Sequence, residues 1–270
     1  MTTIATLQTP RTSEFARALA AEWRKLWAVR AVTMTLISLP IIALLFAWLF
    51  SNGGGRGFAE LSAADAPTFD PTAISLQNHL MAQLVVGVLG VLAISVEYST
   101  GMIATTAIAV PRRGVLFTAK ACVVTAAALI VGAATGLLSF WLGQLIIGGY
   151  GAPTASLADR HVLRAVLGMS LYLGLVALLG LAVGTIVRSS AGALGIIVTV
   201  VLILPALSQN LPASIAEPIA RWWPSQAGSR IMTVVVDPDL LAPWPGFSLF
   251  LVVVAAVVAA AYVTFRVRDI

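Results

Sequence analysis

The sequence predicts an all-α integral membrane protein: six transmembrane helices, an amphipathic interfacial helix before them, and both termini cytoplasmic. Three observations carry that prediction. The chain of 270 residues is 59% hydrophobic and 10% charged, with a mean hydropathy of +0.97, whereas a soluble domain carries about 25% charged residues. Six apolar runs have the length of roughly 20 residues that a bilayer core demands. Lys and Arg crowd the segments on one side of those runs.

Residues 1–30 are expected to form a cytoplasmic tail and an elbow helix. On a helix from Ser13 to Arg30, Phe15, Leu19, Trp23, Leu26 and Trp27 fall on one side and Arg17, Arg24 and Lys25 on the other. An apolar stripe with tryptophans beside a basic face describes a helix lying in the membrane interface. Whether it only anchors topology or also touches a partner stays open.

Residues 31–270 form the membrane domain, with spans at about 31–50, 79–96, 121–148, 163–187, 193–211 and 246–265. Lipid offers no partner for backbone N–H and C=O groups, so each span is expected to be helical. Their interiors hold no Asp, Glu or Lys, and Arg164 sits at a span end where it can snorkel. Gly132 with Gly136, and Gly180 with Gly184, have the small-xxx-small spacing that lets helices approach in lipid.

Residues 51–78, with three consecutive glycines, two prolines and three acids, read as a solvated outer loop. Residues 212–245 interleave Trp222, Trp223 and Trp244 with six prolines, which forbid one long helix. Short helices at the outer surface are expected there, as a lid over an exit path or as an aromatic belt. Asn78, Gln83, Gln144, Ser208, Gln209 and Asn210 lie toward the outer span ends. They either line such a path or satisfy one another between helices.

Charge sets the orientation. With six spans, both termini share a side with residues 97–120 and 188–192. That side carries Arg11, Arg17, Arg24, Lys25, Arg30, Arg112, Arg113, Lys120, Arg188, Arg266 and Arg268. The other side has Arg56, Arg160, Arg164, Arg221 and Arg230, with most of the acids. The positive-inside rule makes both ends cytoplasmic in a multi-pass protein of the cell membrane, plasma or inner. No cleavable signal peptide is expected, since the first apolar run starts late and is long.

Several function classes lack their residues. The +5 net charge is scattered among span ends rather than gathered on one soluble face, which argues against nucleic acid. No phosphate-binding G-x-x-x-x-G-K-[ST] and no H-E-x-x-H occurs. His79 and His161 have no nearby thiol or carboxylate for a metal site, and Cys122 is the sole cysteine. No catalytic, cofactor or metal residue is assigned, and the chain is not expected to be an enzyme. A buried mid-membrane acid for ion coupling is also missing.

Residues 97–120, EYSTGMIATTAIAVPRRGVLFTAK, interrupt the apolar pattern with a carboxylate, a glycine, a proline, two arginines and a lysine. The order Glu97, Gly101, Met102, Ile103, Pro111, Arg112, Arg113, Lys120 resembles the cytoplasmic loop after the second span in permeases of the ABC-2, or type-2 exporter, family. The six-span layout, the elbow helix and the long outer segment before the last span are similar to that family as well. One departure is that the family loop often has a second acid near the first, whereas here Glu97 stands alone between Val96 and Tyr98.

The resemblance implies a transport subunit that forms a dimer, homo- or heteromeric, and docks a separate ABC ATPase through this loop. Glu97, Gly101, Met102, Ile103, Pro111, Arg112, Arg113 and Lys120 are then the coupling residues. ATP and Mg belong to the partner, with no cofactor in this chain. Export is expected because no extracellular capture domain is seen, and the implied cargo is a hydrophobic or amphipathic small molecule of drug or antibiotic class. Local chemistry agrees: Gly101 permits a sharp turn, Pro111 stops a helix, and the arginines suit acidic groups or lipid phosphates. The rival readings are an ion-coupled secondary carrier and a non-transporting membrane scaffold or sensor partner.

Overall fold

The computed structural model describes residues 11–61, 65–102 and 112–268, with side chains from residue 14. The chain is 83% helical, without a strand among the described residues. Among the described residues six helices are long and apolar enough to cross a membrane: Arg30–Phe58, Pro71–Ser99, Arg113–Gly149, Val162–Val187, Ser190–Ser208 and Pro243–Val267. The predicted all-α, six-span class is the observed one.

The helices outrun the apolar stretches that announce them. The first continues to Phe58, and residues 66–76, expected in a loop, form a 3-10 turn at Ala66–Thr68 and a helix at Pro71–Leu76. The reason lies in what the glycines face. An added Cβ at Gly54 would lie 2.6 Å from the Ile74 side chain, and one at Gly55 would lie 2.5 Å from the Tyr150 ring. These residues are glycine because neighbours press on the helix there. Tyr150 Oη donates to Asn52 Oδ1 at 3.0 Å and accepts from Arg56 Nε at 3.2 Å, which holds the extension in place. The third span begins at Arg113 rather than near 121, so Lys120 lies two turns inside a helix.

The fourth span, Val162–Val187, is buried along most of its length and forms the centre of the bundle. Val166, Met169, Tyr172, Leu173 and Val176 are its core side chains. Its approach to the second span is set by glycine: a Cβ on Gly90 would stand 2.0 Å from the Ala177 carbonyl oxygen, and one on Gly180 2.5 Å from that of Gly87. Gly132 and Gly136 face Ser170 and Val166 of the same central helix. The small residues therefore tighten packing within the chain.

At the end of the bundle remote from the elbow helix, Asp70 ties two distant segments together. Its Oδ1 caps the helix at Pro71 by accepting from Ala73 N–H at 2.9 Å, and its Oδ2 accepts from Val234 N–H at 2.6 Å and Val235 N–H at 2.9 Å. Arg164, placed by sequence at a snorkelling position, donates instead to the carbonyls of Ile231 (3.3 Å) and Thr233 (2.8 Å). The segment between the last two spans folds as short helices, Ala213–Trp222 and Pro224–Ser229, followed by a 3-10 turn at Arg230–Met232. Two of the outer polar residues satisfy other helices: Asn78 donates to Ala43 O and Ser139 Oγ, and Gln144 to Pro71 O and Ser75 Oγ.

Candidate coupling site

The elbow helix spans Arg11–Ala28 and ends at Val29, whose extended backbone turns the chain into the first span. The single Thr33 hydroxyl proton is shared between the Leu26 and Trp27 carbonyls, at 3.1 Å each, where the helix leaves its last carbonyls without a partner. Ala18, Glu22 and Leu26 form the buried face, while Trp23 and Trp27 are exposed. Leu26 packs with Val32, Leu36, Leu89, Val123 and Ala127. That cluster joins the elbow helix to the first three spans. Lys25, placed by sequence on the polar face, turns inward beside Glu22.

Directly above this cluster lies a ring of four charges. Lys120 Nζ donates to Glu22 Oε2 at 2.5 Å, to Glu97 Oε1 at 2.8 Å and to the Ala93 carbonyl at 3.1 Å. An ammonium has three protons, and all three are used. Lys25 Nζ donates to Glu22 Oε1 at 2.8 Å and to Glu97 Oε1 at 2.9 Å. Each carboxylate thus bridges both lysines, and the formal charge of the ring is zero. The Glu22, Glu97 and Lys120 side chains are 4%, 5% and 3% exposed. Glu97 Oε2 has no hydrogen-bond partner. A cavity of about 20 Å³ lined by the four residues adjoins it, room for a single water.

Burial alone would lower the pKa of the Lys25 ammonium, but the Glu22 and Glu97 carboxylates outweigh it and hold the group above its ordinary value. Each carboxylate lies within hydrogen-bond distance of both lysines, so the signs are matched in the site.

The residues singled out in sequence separate into three groups. Glu97 and Lys120 meet inside the protein, where they face each other and not a partner's surface, and Glu97 also meets Lys25. Gly101, at φ +71°, ends the second span in the left-handed conformation that glycine adopts without strain, and Met102 beside it is exposed. Arg112 pairs with Glu14 of the elbow helix at 3.1 Å, and Arg113 Nη1 donates to the Arg268 carbonyl at 2.8 Å. The third span's first turn is thereby joined to both ends of the chain. Ile103 and Pro111 lie outside the described residues.

Glu22 was absent from the sequence reading, and it supplies the second acid that residues 97–120 lack. Its signal is its register: Phe15, Leu19, Glu22 and Leu26 share one helix face, so a carboxylate interrupts an apolar stripe. A buried charge at such a position requires a partner of opposite sign.

A family model described as "ABC-2 family transporter protein" matches residues 18–206. The chain belongs to that family. The match covers the elbow helix from Ala18, the first four spans and nearly all of the fifth, and it contains every member of the charge ring. This ABC-2 permease is accordingly a multi-pass membrane subunit of an ABC transporter. No curated protein matches it. Among its described residues no group of three His, Cys, Asp or Glu is placed to hold a metal.

Proposed function

We propose that this permease is one half of the membrane domain of an ATP-driven exporter. Two copies, or this chain and a similar one, stand in the cell membrane with their termini in the cytoplasm. A separate ABC ATPase binds nucleotide and Mg and docks on the segment after Gly101. The cargo is a hydrophobic or amphipathic small molecule of drug or antibiotic class.

The observation that carries the coupling reading is the Glu22–Lys25–Glu97–Lys120 ring. It locks the elbow helix, the second span and the third span to one another at the end of the bundle where the docking segment begins. Four matched charges, three of them buried, hold one geometry well and tolerate partial separation poorly. A push on the loop at Gly101 and Arg112 therefore moves three helices together instead of bending one. Arg112 and Arg113 extend the same assembly to Glu14 and the Arg268 carbonyl.

Purification of the full chain with candidate ATPases, followed by transport in vesicles, tests the proposal. The ATPase is expected to co-purify. Arg112→Ala with Arg113→Ala is expected to lower ATP-driven transport about tenfold, the equivalent of about 1.4 kcal/mol of coupling. A chain that holds no ATPase, and a double variant with intact transport, contradict it.

A further inference from the structure

The outer half of the bundle holds a second polar assembly, remote from the charge ring. The fifth span contains a π turn, Thr199–Ile203, with Pro205 just beyond it. Proline has no N–H, so the Val201 carbonyl loses the donor that a regular helix supplies four residues on. The Leu204 N–H bonds to Thr199 O, one residue further back than in an α-helix, and so leaves the Val200 carbonyl without a partner in its own helix. Side chains from elsewhere meet both oxygens. Trp223 Nε1 donates to Val200 O at 2.8 Å, and Gln83 Nε2 approaches Val201 O at 3.5 Å. Gln83 is itself oriented by Tyr172, whose hydroxyl donates to Gln83 Oε1 at 2.6 Å. π turns of this kind concentrate at functional sites.

A cavity of about 90 Å³ opens against this backbone, lined by His79, Gln83, Tyr172, Gln209, Ser225 and Gln226 among apolar neighbours such as Leu80 and Ala206. Ser225 is 5% exposed, and its Oγ has no hydrogen-bond partner. A buried hydroxyl without a partner at the wall of a cavity calls for an explanation, and a ligand atom supplies one. No Asp, Glu, Lys or Arg lines the cavity, so nothing there compensates a full charge. An uncharged group that both donates and accepts matches the lining. The apolar part of the rim suits a lipophilic remainder.

We propose that this cavity is a binding site for the uncharged polar head group, of hydroxyl or carbonyl type, of a lipophilic molecule. Ser225 and Gln83 are its hydrogen-bonding partners, and Trp223 holds the π turn that forms one wall. Naming the occupant as cargo rests on the exporter reading; its binding does not.

The test uses the full chain in phosphatidylcholine nanodiscs, carrying Cys122→Ala and Ser225→Cys, without ATP or partner. Neutral methyl methanethiosulfonate is expected to modify the introduced thiol about tenfold faster than its trimethylammonium analogue, because the site does not admit a charge. Decanol at about twice its Kd is expected to slow that modification about threefold by occupancy. Ionised decanoate is not expected to slow it. Gln83→Leu is expected to abolish the protection by decanol. Gln226→Cys reports on the same cavity should Ser225→Cys fail to fold. Discs doped with diacylglycerol distinguish a resident lipid from cargo: protection by the dopant alone identifies a lipid as the occupant of the same site. A thiol closed to the neutral reagent, equal rates for the two reagents, or decanol protection that survives Gln83→Leu would overturn the proposal. Since transport is never measured, failure here leaves the exporter reading standing, and failure of that reading leaves this result intact.

Discussion

Lys120 of the third span and Glu22 of the elbow helix, 98 residues apart in the chain, form a buried ion pair that closes one end of the bundle. Around this contact the elbow helix, the second span and the third span become one unit.

Neutralising one member of the ring is predicted to cost more than removing a matched pair. Lys120→Met leaves two buried carboxylates facing Lys25 alone and is expected to destabilise the protein by about 3–5 kcal/mol. Glu22→Leu combined with Lys120→Met restores neutrality and is expected to recover most of that loss. Unfolding followed by tryptophan fluorescence measures both. A single variant as stable as the parent would show that the ring contributes nothing to stability.

Alkaline pH is predicted to weaken the ring through Lys25. Its folded pKa lies above the unfolded value of about 10.4, so its contribution is complete below that pH. It is lost as pH rises through the folded pKa. The melting temperature should therefore hold from neutral pH to about 10 and fall above it. Lys25→Met should flatten part of that alkaline limb; an unchanged profile would rule out the linkage.

Two glycines are predicted to respond in opposite directions to alanine. Gly90→Ala drives a methyl into the Ala177 carbonyl and must separate the second and fourth spans. A lowered melting temperature and poor recovery of folded protein are expected. At Gly195, where an added Cβ meets nothing within 4 Å, alanine is expected to be neutral or to gain up to about 1 kcal/mol. Equal behaviour of the two would contradict the close approach.

Asp70→Asn is predicted to release the segment between the last two spans. Asn has one carbonyl oxygen and cannot accept at both of the sites that the two carboxylate oxygens now serve. Amide exchange at Val234 and Val235 should rise about tenfold, while the core of the fourth span keeps its protection. Unchanged exchange would show that Asp70 does not hold that segment.

The six spans, their order and their helical nature were legible because lipid solubility is written in composition and length. The helix ends were not. Residues 51–58 and 113–120 carry glycine or charge, and they are helical because Tyr150, Ile74 and Glu22 press on them or pair with them. The π turn left a local trace in Pro205, but nothing near it in sequence points to Trp223 and Gln83 as the groups that meet its carbonyls. Residues 97–120 drew notice for their charges. Only the fold divides those charges into a buried pair, Glu97 and Lys120, and surface arginines that reach Glu14 and Arg268. Glu22 was legible in principle, as a carboxylate within the Phe15–Leu26 stripe.

In the proposed exporter a separate ATPase sits on the segment after the second span. Cross-linking from that segment measures it most directly. With Cys122→Ala and Met102→Cys, a heterobifunctional reagent that joins a thiol to a lysine amine is applied to membranes that hold the chain together with a candidate ATPase. A covalent adduct between Met102→Cys and the ATPase is expected, and none from Ala213→Cys at the other end of the bundle. An ATPase that co-purifies yet never cross-links at position 102, or that links instead at position 213, would contradict it.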